Sequence, residues 1–428
     1  MSKVGYFSLN QLGNNLILCL NSLIFIYVIS VGALIIPSML PFTTFIGILL
    51  LLGGGILNLS SALGNVRETD QLAFVHQINY SNILNPVICL LLLFFLIFCL
   101  FFTKGYSFIS GFSLLVLHVL FLVFIINTKN YLRIYLRSYI FFVLLMAVCG
   151  IAANFFVSFG VVSSSNYVNL SILTDGAFQR DANALDSYVF PYNLGLILTG
   201  GGKLDLLGFS FWRISGWAHE PTSATLFVAP AMILLAHTKI IARSLSRIVF
   251  LFVITLFWFY AMSLGSLFAF IILYSFYIIV VMFTKFFPLK LTSLVCIGGS
   301  IMFLAGVFYI DAILNSSLIS TKLDLGSETF QTAIQRFTWF VPDKAYSQAN
   351  SFSFIAIFLI VFLFLLNVFY SLLVEKELNP FALVVLYIVI HSMKGSQDSV
   401  FMLIFSFFWF YVLYFSISSS HSKSVKYF

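Results

Sequence analysis

The chain has 428 residues, of which 61% are hydrophobic and 8% charged, with a formal net charge of +7. A soluble globular protein is about a quarter charged, so this composition excludes a soluble enzyme, and its apolar content excludes a disordered chain. The apolar runs are unbroken over about 20 residues, whereas barrel strands alternate over about ten, which excludes an outer-membrane barrel and leaves an all-α polytopic membrane protein.

In chain order, the runs predict about twelve transmembrane helices, at 15–39, 42–62, 83–103, 106–127, 138–160, 221–238, 248–264, 266–284, 291–310, 351–374, 380–393 and 399–417. The first is too long for the core of a signal peptide and reads as a retained span. Only Ser263-Leu264-Gly265-Ser266 separates the seventh from the eighth, which predicts a tight hairpin. Cys19, Cys89, Cys99, Cys149 and Cys296 all fall inside apolar runs without a CxxC pair. They read as small core residues, with no disulfide framework and no metal site. His118, inside the fourth span, reads as a helix–helix hydrogen bond or as a ligand.

Basic residues set the orientation. With the N-terminus inside, 13 of the 21 Lys and Arg residues lie in inside segments, and the short outside loops carry only Lys104 and Lys394. The expected architecture is therefore N-in and C-in, one integral membrane domain over 1–428. Two large extracytoplasmic loops with short helices, at 161–220 and 311–350, complete it. Connections this long are uncommon and often functional. They also hold most of the acidic residues, among them Asp175, Asp181, Asp186, Asp205, Glu220, Asp311, Asp324, Glu328 and Asp343. Any chemistry is expected on the outer face, and the scattered charges give no nucleic-acid footprint.

No Asp-x-Asp or HExxH motif is present. The run Gly200-Gly201-Gly202-Lys203 lacks P-loop spacing and reads as a flexible outside turn. The densest polar cluster is FWRISGWAHEPTSATLF at 211–227. Arg213, His219 and Glu220 precede a helix expected to start near Pro221, a residue suited to the first helical position. A helix start with a guanidinium beside it suits an anion, and Glu220 suits a hydroxyl proton. The plainer alternative is an interfacial belt of Trp212 and Trp217, with Arg213 reaching to headgroups.

In the second loop, Glu328, Gln331, Gln335 and Arg336 share a helix-compatible spacing beside Trp339. This reads either as an amphipathic helix on the membrane or as a second phosphate ligand facing Arg213. His391, Lys394 and Asp398 close the eleventh span, either as a bonded loop or as functional groups, since such residues are costly there unless paired.

Together, the spans and the two enlarged outer loops resemble the O-antigen polymerase (Wzy) family of polytopic membrane glycosyltransferases. Arg213-Ile-Ser-Gly216-Trp-Ala-His219-Glu220-Pro221 is similar to the family's Arg-x-x-Gly…Glu-Pro entry to a membrane helix. Arg336-Phe-Thr-Trp339 is similar to the Arg…Trp element of its second loop. Ser263-Leu264-Gly265-Ser266 resembles a Ser-Arg-Gly hairpin from which the Arg is missing, so no role carries over from that Arg. No Arg-x10-Gly spacing starts from Arg180 or Arg336. The related O-antigen ligases usually show a histidine in the second outer loop, and 311–350 has none.

The resemblance implies polymerisation of undecaprenyl-pyrophosphate-linked oligosaccharide repeat units at the outer face of the bacterial cytoplasmic (inner) membrane. It implies no metal, nucleotide or other cofactor. Its implied partners are the lipid bilayer, a chain-length regulator and a flippase. Arg213 and Arg336 would hold the leaving pyrophosphate. Glu220 would serve as base, with His219 and His391 as alternatives. Trp217, Gln335, Trp339, Lys394 and Asp398 would contact acceptor or sugars. The alternatives are an O-antigen ligase and a flippase for lipid-linked oligosaccharides, although transporters tend to show internal repeats and midplane charges.

Overall fold

A computed structural model describes residues 9–31, 45–55, 116–117, 119–125, 128, 131–161, 167–168, 188–189, 192, 194–206, 209–218, 221–286, 380–392 and 407. The helices are α1 (Leu9–Val31), α2 (Phe45–Gly55), α3 (Leu132–Ser158), α4 (Pro221–His237), α5 (Ser244–Tyr260), α6 (Leu264–Phe286) and α7 (Pro380–Ser392). Between α3 and α4 lie β1 (Tyr167–Val168), β2 (Tyr188–Val189), β3 (Leu196–Leu206) and β4 (Phe209–Gly216). The spans expected at 83–103, 291–310 and 351–374 fall outside the described residues. Among the described residues, α3, at 27 residues, is the one helix both long and apolar enough to cross a membrane.

The strands form one four-stranded antiparallel sheet in the order β1-β2-β3-β4. This differs from the short helices expected of 161–220. Aromatic and β-branched residues are frequent in β1, β2 and β4, whereas β3 is built mainly of Leu and Gly.

The chain divides into two compact units. In the first (Met1–Val87, Phe112–Ser263, Asp398–Phe428), α3 is the central element. Its first half packs Tyr135 between Phe25 of α1 and Phe124, with ring centroids 5.4 and 5.9 Å away. One turn on, Tyr139 meets Phe227 of α4 edge-on at 5.3 Å and Phe407 at 5.5 Å. The Tyr139 hydroxyl also donates to the Phe227 carbonyl. Pro230, lacking an N–H, leaves the adjacent Leu226 carbonyl without its helical donor.

The second half of α3 packs on α5 and the hairpin. Gly150 is what permits this, because a Cβ there would lie 2.6 Å from Phe257 and 3.0 Å from Ile214. The break between α5 and α6 spans 261–263, with Met262 at positive φ (49°).

In the second unit (Ile88–Gly111, Leu264–Gln397), α6 and α7 pack together. The Ser266 and Tyr387 hydroxyls share a buried 2.6 Å hydrogen bond, and Phe270 lies 4.7 Å from the Tyr387 ring.

Candidate functional site

The polar cluster at 211–227 begins on a strand that runs down the side of α3. Asn154, 1% exposed, holds Trp212 at both backbone groups. Its amide donates to the Trp212 carbonyl at 2.8 Å, and its carbonyl accepts from the Trp212 N–H at 3.1 Å. Four residues further along β4, Gly216 sits against Met146 and Phe257, where an added Cβ would meet Phe257 at 3.0 Å. Its φ of 61° also favours glycine. Next, the Trp217 ring stacks obliquely on Phe142 at 5.3 Å, and its indole N–H donates to the Leu194 carbonyl at 2.8 Å.

The chain thus descends from the level of residue 154 to that of residue 142, about 18 Å along α3 at about 1.5 Å per residue. The turn that follows, closed by the Ala218 N–H on the Ser215 carbonyl at 3.1 Å, is buried. Helix α4 then starts at buried Pro221. A helix start at the membrane surface was expected from sequence; in the structure Trp217 before the start and Phe227 within α4 both meet Phe142 of α3. A strand can run there because β3 takes up its backbone hydrogen bonds, as non-helical backbone surrounded by protein requires.

Arg213 lies on this descending strand, half-buried, and engages a partner within the protein. It pairs with Leu198 of β3, whereas Trp212 pairs with Lys203, so residues 199–202 bulge out of the ladder opposite the 212–213 step. The Gly200-Gly201-Gly202 run is therefore a bulge within a strand rather than a free turn, a common place for glycines. Ser215, two residues on, is fully buried, and its hydroxyl has no hydrogen-bond partner among the described residues.

A guanidinium, the amides of a glycine bulge, a buried hydroxyl and the first N–H groups of α4 thus follow one another along the strand, turn and helix. Each is a donor of the kind that receives an anion. Thr225 turns its hydroxyl back to the Thr222 carbonyl at 2.8 Å.

His219, Glu220, Gln335, Arg336, Trp339, Lys394 and Asp398 lie outside the described residues. Glu220 belongs, by sequence, to the link between buried Ala218 and buried Pro221. His391 occupies the last turn of α7 in the second unit. It is 1% exposed, engages a partner within the protein, and its ring lies 5.6 Å from that of Tyr387. Among the described residues no group of His, Cys, Asp and Glu is placed to hold a metal ion.

Asn154 was not singled out from sequence. Its signal was a lone amide in the run AVCGIAANFF, where a polar side chain is expensive unless bonded.

Comparison with protein-family models, curated proteins and solved structures finds no match for this chain.

Proposed function

We propose that this chain is a multi-pass membrane glycosyltransferase of the bacterial cytoplasmic membrane. In this reading it polymerises oligosaccharide repeat units carried on undecaprenyl pyrophosphate. Membrane residence is supported by α5, where Leu245 (73% exposed), Ile248 (60%) and Phe252 (66%) present a bare apolar face. Contiguous exposure of that kind is rare against water and ordinary against lipid.

The observation that carries the chemistry is the descent of β4. It runs from Arg213 and the glycine bulge, near the level of Asn154 toward the end of α3, to Trp217 beside Phe142, and packed protein along this path would shield a lipid-borne anion from water. A cation in such a site stabilises charge far better than one in solvent.

In the proposed reaction the acceptor sugar hydroxyl attacks the anomeric carbon of the donor chain. The bond from that carbon to the pyrophosphate oxygen breaks, and the pyrophosphate leaves with the electron pair. The hydroxyl proton passes to a base. Arg213, with Arg336 as second cation, holds the leaving group, and Glu220 takes the proton, with His219 or His391 as the other bases to test. Trp217, Gln335, Trp339, Lys394 and Asp398 are proposed to contact acceptor or sugars. No metal or nucleotide enters the step.

The test is a transfer assay in proteoliposomes, with lipid-linked oligosaccharides extracted from the source cells and products separated by length. A ladder of elongated, still lipid-linked chains is expected. Transfer of preformed chains onto a lipid A acceptor without elongation would indicate a ligase. Passage of substrate across the bilayer without bond formation would indicate a flippase.

A further inference from the structure

Helix α4 ends at a corner, residues 238–243, that is built on basic side chains. Arg137 of α3 donates its Nε–H to the Ile240 carbonyl at 2.9 Å, and Arg247 of α5 donates to the Thr238 carbonyl at 3.3 Å. The Thr238 hydroxyl accepts from the Ile240 N–H at 3.4 Å and donates to the Leu234 carbonyl. Cations at the end of a helix satisfy its last carbonyls and oppose its dipole. Arg137 and Arg247 lie at that end and are committed to carbonyls of the link that follows the helix.

Three further cations surround the same corner. Arg133 stands one turn before Arg137, Lys239 adjoins Ile240, and Arg243 begins the turn closed by the Arg247 N–H on its carbonyl at 3.0 Å. Lys239 and Arg243 are exposed, and Lys239 also engages a partner within the protein. The Arg133 Nε is buried and has no hydrogen-bond partner among the described residues. No Asp or Glu occurs in 71–174 or 221–310, the stretches that supply the corner. A buried guanidinium donor calls for an acceptor, and these stretches offer no carboxylate.

The surroundings of the cations select the acceptor. Exposed Leu245 and Ile248 follow Arg243 directly, and exposed Tyr131 precedes Arg133. Cations beside bare apolar side chains match a molecule that has both an anionic head and hydrocarbon. A free phosphate or nucleotide would use the cations and leave the apolar groups in water. We infer that this corner binds the headgroup phosphate of an anionic phospholipid. Arg133, Lys239 and Arg243 meet the phosphate, and Leu245 and Ile248 lie along the acyl chain. The site rests on the membrane reading above but not on the proposed reaction.

The test is native mass spectrometry of the detergent-solubilised full chain titrated with phosphatidylglycerol or phosphatidylcholine. Each Lys or Arg near an anionic headgroup contributes a factor of about five in affinity. Lys239→Gln/Arg243→Gln, both on exposed side chains, should therefore weaken phosphatidylglycerol binding at least about tenfold and leave phosphatidylcholine unchanged. Arg133→Gln should add to that loss. Equal binding of the two lipids by the unaltered chain, or unchanged phosphatidylglycerol binding by the double variant, would overturn the site. Displacement of the lipid by millimolar inorganic phosphate would reassign it to a soluble anion. A chain that stays monodisperse without detergent would remove the membrane reading itself, a result separable from both.

Discussion

Helices α4 and α5 are consecutive, each 17 residues long, and both apolar. Yet α4 buries 13 of its residues, on every side, while α5 buries only Ile254 and Phe257. The difference lies in side-chain size rather than hydrophobicity. Helix α4 carries Ser223, Ala224, Thr225, Ala229 and Ala231 among its buried residues, and small residues let neighbouring backbones come close. Helix α5 is built of Phe, Ile, Leu and Val, which fill lipid-facing positions well but hold neighbours apart. Small side chains thus mark the helix that is packed on every side, and bulky ones mark the helix that keeps an open face.

The sharpest way to break the buried side of this comparison is Asn154→Leu. The change strands the Trp212 N–H and carbonyl, and each unpaired buried group costs about 1–3 kcal/mol. A loss of about 2–6 kcal/mol is expected, seen as poor yield or a large fall in the denaturation midpoint in detergent. A variant as stable as the parent would mean that Asn154 does not hold β4.

Phe252→Arg, at the centre of α5, comes next and addresses what the exposed face meets. A centrally placed Arg costs about 2.5–3.5 kcal/mol of insertion free energy, so a reporter of membrane insertion should show a clear drop. Normal insertion would mean that this face meets water or protein. Ala229→Leu overfills the tight packing of α4 and should cost about 1–3 kcal/mol, read as a lower thermal midpoint. Phe252→Leu, a change of the same number of side-chain atoms but in the opposite direction on the exposed helix, should stay within about 0.5 kcal/mol. Equal losses from these last two would erase the distinction between the helices.

Among the described residues, several helix positions were legible in sequence. Pro221 and Pro380 mark the observed starts of α4 and α7, as proline at the first helical position should. Hydropathy alone placed other starts too late. Helix α3 begins at Leu132 rather than 138, and α5 at Ser244 rather than 248. Their first two turns carry Arg133, Arg137 and Arg247, which an apolar-run criterion counts as loop although arginine is a good helix former.

The sheet was missed for a different reason. Phe209–Gly216 is rich in strand-forming residues, but Leu196–Leu206 is mostly Leu and Gly with a Lys and an Asp, and a long outer loop was expected to carry short helices. At the candidate site, Arg213 and Trp217 were found by residue type. The depth of that site was not readable, because it depends on a bond from Asn154, 58 residues away from Trp212 in sequence.

The central claim is that this chain extends oligosaccharides carried on a lipid pyrophosphate and that Arg213 holds that group. The most direct measurement is the rate of chain elongation in proteoliposomes by the parent and by Arg213→Lys, at matched protein levels. Lysine keeps the charge and loses the planar fork, so elongation should fall at least about tenfold, equivalent to about 1.4 kcal/mol. An absence of elongation by the parent on its own lipid-linked units, or equal rates for the two proteins, would contradict the account.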